Sequence, residues 1–200
     1  MAETAGYDLL GVVVGSEGTL GIVTEVVLGL TPRPEAVETL VAGFPSAESA
    51  GAAVSAIIAA GITPAAIEMM DRLTIEVARA FAKAPYPECG ALLLVELDGP
   101  ADEVASAFAD CDAICRAAGA TELVVARDDD ERARLWKGRK AAFPAMGQIS
   151  PSYYVQDGVI PRTRLPEVLA GIERLEAEYG LRVGNVFHAG DGNLHPLVLY

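Results

Sequence analysis

Two hundred residues, 52% hydrophobic and 22% charged, describe a globular chain long enough for one ordinary domain or two small ones. The formal net charge of -13 argues against nucleic acid or an anionic membrane surface as partner, because either polyanion would be repelled. No apolar run approaches the roughly 20 residues of a membrane helix, and the opening residues lack the basic start and cleavage site of a signal peptide. A cytoplasmic chain is expected. Cys89, Cys111 and Cys115 form neither an even disulfide set nor a C-x-x-C metal knuckle. They are read as reduced, buried thiols.

The first thirty residues alternate β-rich runs with glycine. YDLLGVVVG reads as a strand, GSEGTLG as a turn and IVTEVVLGL as a second strand, followed by the linker TPRPE. A two-strand unit is marginal in water by itself, so this stretch reads as the edge of a larger domain. AVETLVAGF is then a strand, and SAESAGAAVSAIIAA a helix with Ser46 as N-cap and Gly61 as its stop. PAAIEMMDRLTIEVARAFA is predicted as one or two helical pieces, GALLLVELDG as a buried strand, and ADEVASAFADCDAICRAAG as an amphipathic helix ending at Gly119.

ATELVVAR is a further strand. The acidic run Asp128 to Glu131 reads as the solvated first turn of the next helix, favoured there by the macrodipole. Strand PSYYVQDGVI, helix RTRLPEVLAGIERLEAEYG and strands RVGNVFHAG and NLHPLVLY complete the chain. Strands separated by amphipathic helices, without a nucleotide-type glycine loop between them, predict an α+β fold of ferredoxin-like character with helices packed on an antiparallel sheet.

Three stretches can carry chemistry. NVFHAGDGNLHP holds the only two histidines. A four-residue loop over Gly190 to Asn193 would set His188 directly across from His195, with Cβ atoms about 5 Å apart. Such a pair can grip a metal ion, though a stable site usually needs a third ligand, or it can be a hydrogen-bonded structural pair. GSEGTLGIVTE leaves backbone N–H groups uncovered and suits a phosphate or a flat ring, and equally suits a plain turn. LWKGRKAAFP carries Lys137, Arg139 and Lys140. Arg139 offers a planar fork for a carboxylate, while the alternative pairs these cations with the acidic first turn of their own helix.

Together GSEGTLGIVTE, IEMMD, LWKGRKAAFPAMGQISPSYYVQDGVIPR and NVFHAGDGNLHP resemble the FAD-linked oxidase C-terminal domain family, in the form found in the FAD-linked subunit of bacterial glycolate oxidase. That subunit belongs to the vanillyl-alcohol oxidase type of flavoproteins, which includes D-lactate and D-2-hydroxyglutarate dehydrogenases. The resemblance runs over essentially the whole chain. It implies that residues 1–31 are the C-terminal edge of an FAD-binding domain, with Glu17, Gly18, Thr19, Leu20, Gly21, Ile22 and Val23 touching FAD. Residues 32–200 would be the cap, or substrate, domain.

By the same resemblance His188 and His195 match a pair of histidines that bind a divalent metal (zinc, iron or manganese), and Arg139 matches an arginine that binds the substrate carboxylate. Phe143, Val155 and Leu197 stand where the 2-hydroxyglutarate enzymes carry polar substrate contacts, which fits a small 2-hydroxy acid such as glycolate or D-lactate. The third metal ligand and the catalytic histidine of the family lie in a downstream Gly-Glu-His-Gly segment, so no catalytic residue is assigned here and the chain is expected to be a fragment. Glycolate oxidases of this type work with a second flavin-binding subunit and an iron-sulfur subunit, through which the assembly could reach the inner membrane. On its own the chain is expected neither to retain FAD tightly nor to oxidise glycolate. The rival of another class is a stand-alone ferredoxin-like module that binds a metal or ligand without redox activity.

Overall fold

The computed structural model describes residues 6–200, which divide after Arg33 into two compact units. The N-terminal unit contains one short helix, α1 (Leu9–Val13), capped by the Asp8 carboxylate, which accepts from Gly11 N at 2.9 Å. The two strands expected here do not form. Leu9–Val13 is helical, and residues 21–34 have no regular structure. The reason is the one that makes lone hairpins marginal: a strand needs a ladder partner, and among the described residues none pairs with this stretch. Val27, Leu30 and Ile22 are therefore almost fully exposed.

In the second unit the strands are β1 (Ala36–Phe44), β2 (Ala66–Asp71), β3 (Ala91–Gly99) and β4 (Glu122–Val125). They are followed by β5 (Tyr153–Val155), β6 (Gly158–Val159), β7 (Arg182–His188), β8 (Asn193–Leu194) and β9 (Pro196–Leu199). The helices are α2 (Ala47–Ala59), α3 (Arg72–Ala82), α4 (Ala101–Ala117), α5 (Asp129–Met146) and α6 (Leu165–Tyr179). The strand order β4-β1-β3-β2-β7-β8-β6, with β9 joining β7 to β5, makes one sheet in which every pairing is antiparallel. Its first four strands follow the β-α-β-β-α-β plan of a ferredoxin-like fold, with α3 inserted between β2 and β3.

Alternation along the strands explains the two cores. Leu40, Ala42, Phe44, Met69, Leu93, Val95 and Phe187 point to one face and pack beneath α2, α4 and α6. Val41, Met70, Leu92, Leu94, Val186, Leu197 and Leu199 point to the other, beneath α3 and α5. This is why β3 reads as an unbroken apolar run: both of its faces are covered. Cys111 and Cys115 lie fully buried in the first core, where burial pushes their thiols up to about 11 and about 12.

Two expectations are corrected in this unit. AIEMMD is a strand, not a helix, because its backbone is consumed by ladders to β3 on one side and β7 on the other, which override the helix preference of Ala, Glu and Met. It ends at Asp71, the N-cap of α3. Asp71 Oδ1 accepts from Thr74 N and Oγ1 (both 2.9 Å), while Oδ2 accepts from Asn185 N at 2.6 Å and Nδ2 at 3.0 Å. Burial pushes this carboxyl up to about 6, against the pull of those donors. The second correction is that PSYYVQDGVI is two short strands, β5 on β9 and β6 on β8. Its ladder is interrupted opposite Pro196, which has no N–H to give.

Candidate functional site

A group of polar residues of the second unit gathers at one end of the face covered by α5. Glu68 of β2 lies directly across from His188 of β7, which lies directly across from Asn193 of β8. Three neighbouring strands thus set three polar side chains in one rung. The ladder segments on either side of His195 share one register, so His195 stands diagonal to His188 on the same face, and Asp157 stands across from His195.

The expected hairpin register is corrected by two residues: the loop is Ala189 to Gly192, and His188 opposes Asn193 rather than His195. Gly190 N donates to Ile67 O of β2 at 3.2 Å, which takes Ala189 and Gly190 out of the β7–β8 ladder. A slip of an even number keeps each side chain on its own face. The histidines therefore still meet, with ring centroids 5.3 Å apart and planes at 89°. Gly192 closes the turn at φ +71°, where a Cβ would lie 2.2 Å from Ile160 O.

His188 is hydrogen-bonded at its Nδ1, and His195 has a carboxylate near its own. His188 Nδ1 is 2.8 Å from Glu68 Oε1, and His195 Nδ1 is 3.4 Å from Asp157 Oδ1. Carboxylates on Nδ1 orient a ring so that Nε2 is free to bind a ligand. His188 is half-exposed and His195 largely covered, with Phe143 edge-on to His195 at 6.0 Å between centroids. Two imidazoles held in this way fit as part of the ligand set of a divalent ion. Among the described residues no group of three His, Cys, Asp or Glu side chains could complete it. Asn193 Oδ1 is buried beside the pair without a partner.

Arg139 comes from α5. Its Nε donates to Glu68 Oε2 at 2.9 Å, Nη2 lies 2.7 Å from the same oxygen as an ion pair, and both side chains are 8% exposed. Pairing with the first turn of α5, the alternative expected from spacing, does not occur, because Arg139 is ten residues beyond Asp129, about 15 Å along the helix axis. That acidic turn is instead served locally. Asp128 caps α5 by accepting from Glu131 N, and Glu131 pairs with Arg127 and Arg134. Glu68 Oε2 sits on the Nε/Nη2 side edge of the guanidinium.

Leu197 and Val155 are cross-strand partners next to His195, so with Phe143 they form an apolar wall beside the histidines. A cavity of about 360 Å³ opens where Glu68 and His188 meet Arg162, Gly190 and Asp191. Arg162 Nη1 donates to Gly190 O at 3.0 Å, which fastens the turn to the segment after β6. The same face carries Glu96, which accepts from Thr39 Oγ1 and Arg132 Nε at 2.8 Å and from Trp136 Nε1 at 2.6 Å. Those donors hold its carboxyl below the usual range against the opposing effect of burial.

In the N-terminal unit, Glu17 to Val23 lie exposed around a tight turn in which Thr19 N donates to Ser16 O at 2.9 Å. Glu17 (φ 50°) and Gly18 (φ 78°) both take the left-handed conformation. Exposed Leu20, Ile22 and Val23 leave an apolar strip for something to cover.

Two residues of the cluster escaped sequence reasoning. Glu68 had a signal, as the one charged residue between Ile67 and Met69 in a run buried on both faces. Asp157 had none, because its place depends on where β5 gives way to β6.

Residues 33–200 match the family of FAD linked oxidases, C-terminal domain. The chain is 52% identical over 199 residues to glycolate oxidase subunit GlcD of Escherichia coli K12, covering 99% of this chain and 40% of that protein. It is 38% identical to glycolate oxidase subunit GlcD of Bacillus subtilis, over 97% of this chain and 42% of the relative. It is 34% identical to the probable mitochondrial D-lactate dehydrogenase of Danio rerio, over 98% and 39%. The chain thus spans about 40% of the length of these curated relatives. Among solved structures, alkyldihydroxyacetonephosphate synthase superposes with a TM-score of 0.73 at 18% identity, over 99% of this chain and 43% of that one, a likeness of fold alone. With the family match running from the linker to the last residue, and the antiparallel sheet bearing helices on both faces, this chain belongs to the FAD linked oxidase C-terminal domain family.

Proposed function

We propose that the chain is part of a flavin-dependent 2-hydroxy-acid dehydrogenase of the glycolate oxidase type, in which hydride passes from the substrate Cα to FAD. The observation that carries this reading is the gathering of Arg139, His188 and His195, from distant stretches of sequence, around Glu68 on one sheet face. The similarity to glycolate oxidase subunits supplies the chemistry. In this reading residues 1–31 are the edge of the FAD-binding domain and residues 32–200 the substrate domain, and Glu17 to Val23 contact the flavin. The partners are a second flavin-binding subunit and an iron-sulfur subunit. The assembly is cytoplasmic, at the inner membrane only through those partners.

His188 and His195 would hold a divalent ion (zinc, iron or manganese). Such an ion supplies a Lewis acid for the α-hydroxyl, and FAD supplies the hydride acceptor. The chain's own residues bind and orient. Arg139 takes the substrate carboxylate on its Nη1/Nη2 edge and, being buried, acts where a charge contact is strong. Phe143, Val155 and Leu197 offer nothing to a second carboxylate, which limits the substrate to a small acid. D-lactate is the second candidate, favoured by the similarity to a D-lactate dehydrogenase, since one methyl group is worth only about 1–3 kcal/mol of discrimination.

The test is anaerobic bleaching of the flavin in the flavoprotein that carries this chain, with glycolate and with D-lactate. Bleaching by either is expected, with apparent affinity weakened at least tenfold in Arg139→Lys, which loses the planar fork. Failure of both acids to reduce the flavin would end this reading.

A further inference from the structure

We propose that Glu68 is a positioning residue: one buried carboxylate whose Oε2 sets the Arg139 guanidinium and whose Oε1 fixes the His188 imidazole as the tautomer protonated on Nδ1. The roles of Arg139 and His188 toward substrate and metal rest on the proposed function, whereas the role of Glu68 toward them rests on geometry. Glu68 is the charged residue in the interior of AIEMMD, where both flanking side chains are buried, and it projects onto the α5 face in the same rung as His188. A lone buried carboxylate is costly, and an apolar side chain of similar size in such a strand is often neutral or stabilising. Its place is explained by what it holds. Both oxygens are in use, Oε2 by the Arg139 guanidinium (Nε donating at 2.9 Å, Nη2 paired at 2.7 Å) and Oε1 by His188 Nδ1 at 2.8 Å.

Two consequences follow from this arrangement. With the proton of a neutral His188 on Nδ1, pointing at a carboxylate, the lone pair is left on Nε2, the atom then able to bind a cation. Without Glu68 that tautomer would lose its hydrogen bond. Arg139, meanwhile, has its side edge filled, so its end edge is presented in one orientation. Glu68 therefore couples the carboxylate contact to the histidine pair through a single side chain on a central strand, a rigid support.

The test uses the 200-residue chain with ¹⁵N-labelled histidine. Long-range ¹H–¹⁵N correlation at alkaline pH, where the rings are neutral, reports which nitrogen of His188 carries the proton. The expected result is a single Nδ1–H tautomer in the wild type, lost in Glu68→Leu, with zinc binding weakened about 10- to 100-fold. A wild-type His188 protonated on Nε2, or a tautomer unchanged in Glu68→Leu, would overturn the proposal, as would a measurable zinc affinity that is equal in the two chains. Should Glu68→Leu fail to fold, the wild-type tautomer still decides. A wild type that binds no zinc yet holds His188 on Nδ1 would remove the metal from the proposed function and leave Glu68 in its role.

Discussion

Gly138 sits in the middle of α5, one residue before Arg139, and substituting it by alanine sets two effects against each other. Helix propensity alone favours Ala over Gly by about 1 kcal/mol at an interior position. Packing opposes it. A Cβ built on Gly138 would lie 2.5 Å from Ala84 Cβ and 2.7 Å from both Cζ and Oη of Tyr86. Ala84 Cβ is fixed to the backbone. Tyr86 is buried and donates its hydroxyl hydrogen bond to Leu135 O, on the same helix. Neither neighbour can turn aside, so α5 itself must move outward by roughly 1 Å to restore ordinary carbon contacts of about 3.5–4.0 Å.

Overpacking of this kind costs typically 1–3 kcal/mol, and loss of the Tyr86 hydrogen bond adds about 1 kcal/mol. The rigid neighbours place Gly138→Ala at the upper end, so after the helix gain the net loss is about 2–3 kcal/mol. In a domain of this size that is a fall in Tm of roughly 4–12 °C. Thermal and urea unfolding followed by far-UV circular dichroism would measure it, with Lys137→Ala as the exposed control, expected within about 0.5 kcal/mol of wild type. A Gly138→Ala chain as stable as wild type, or more so, would mean that helix propensity outweighs packing here, and the reasoning would be wrong.

Two further predictions concern the supports of the site. Asp71 is held at about 6 by burial, above its unfolded value of 3.8, so its contribution to stability is fully present below 3.8 and lost as the pH rises through about 6. The stability of wild type relative to Asp71→Asn should therefore fall by about 2 kcal/mol between pH 4 and pH 7, measured by urea unfolding at each pH. A difference that is flat or rises would contradict the burial argument. Gly192→Ala places a side chain at φ +71° with its Cβ 2.2 Å from Ile160 O, a backbone atom. Strain of about 1–3 kcal/mol plus the displaced contact should destabilise the chain and shift the ¹⁵N signals of both histidines, and unchanged histidine signals would show that the turn does not set their placement.

What the sequence made legible was whatever depends on parity or on a local cap. Ser46 was readable as an N-cap because its hydroxyl accepts from Ser49 N at 3.2 Å, a bond within one turn. The shared face of His188 and His195 survived a wrong register because the slip was even. What was not legible depends on partners far along the chain. AIEMMD has the composition of a helix and becomes a strand because β3 and β7 claim its backbone. Arg139 was recognised as a candidate, but its counterion is 71 residues away on another element, beyond any spacing rule.

The face beneath α5 also shows how one sheet serves both stability and chemistry. Met70, Leu92, Leu94, Val186, Leu197 and Leu199 build the dry core under α3 and α5, and the polar set Thr39, Glu96, Glu68, His188, Asn193 and His195 lies toward one end of the same strands. Burying charges there is tolerable only because each is answered. Glu96 is met by Thr39, Arg132 and Trp136, and Glu68 by Arg139 and His188. The helix supplies most of those answers, with Arg132, Trp136 and Arg139 at spacings of four and three along one side of α5. A shift of α5 would therefore loosen the core and uncover both carboxylates at once. That is why Gly138, which lets α5 approach Tyr86 closely, belongs to the architecture of the site although it touches none of its polar groups.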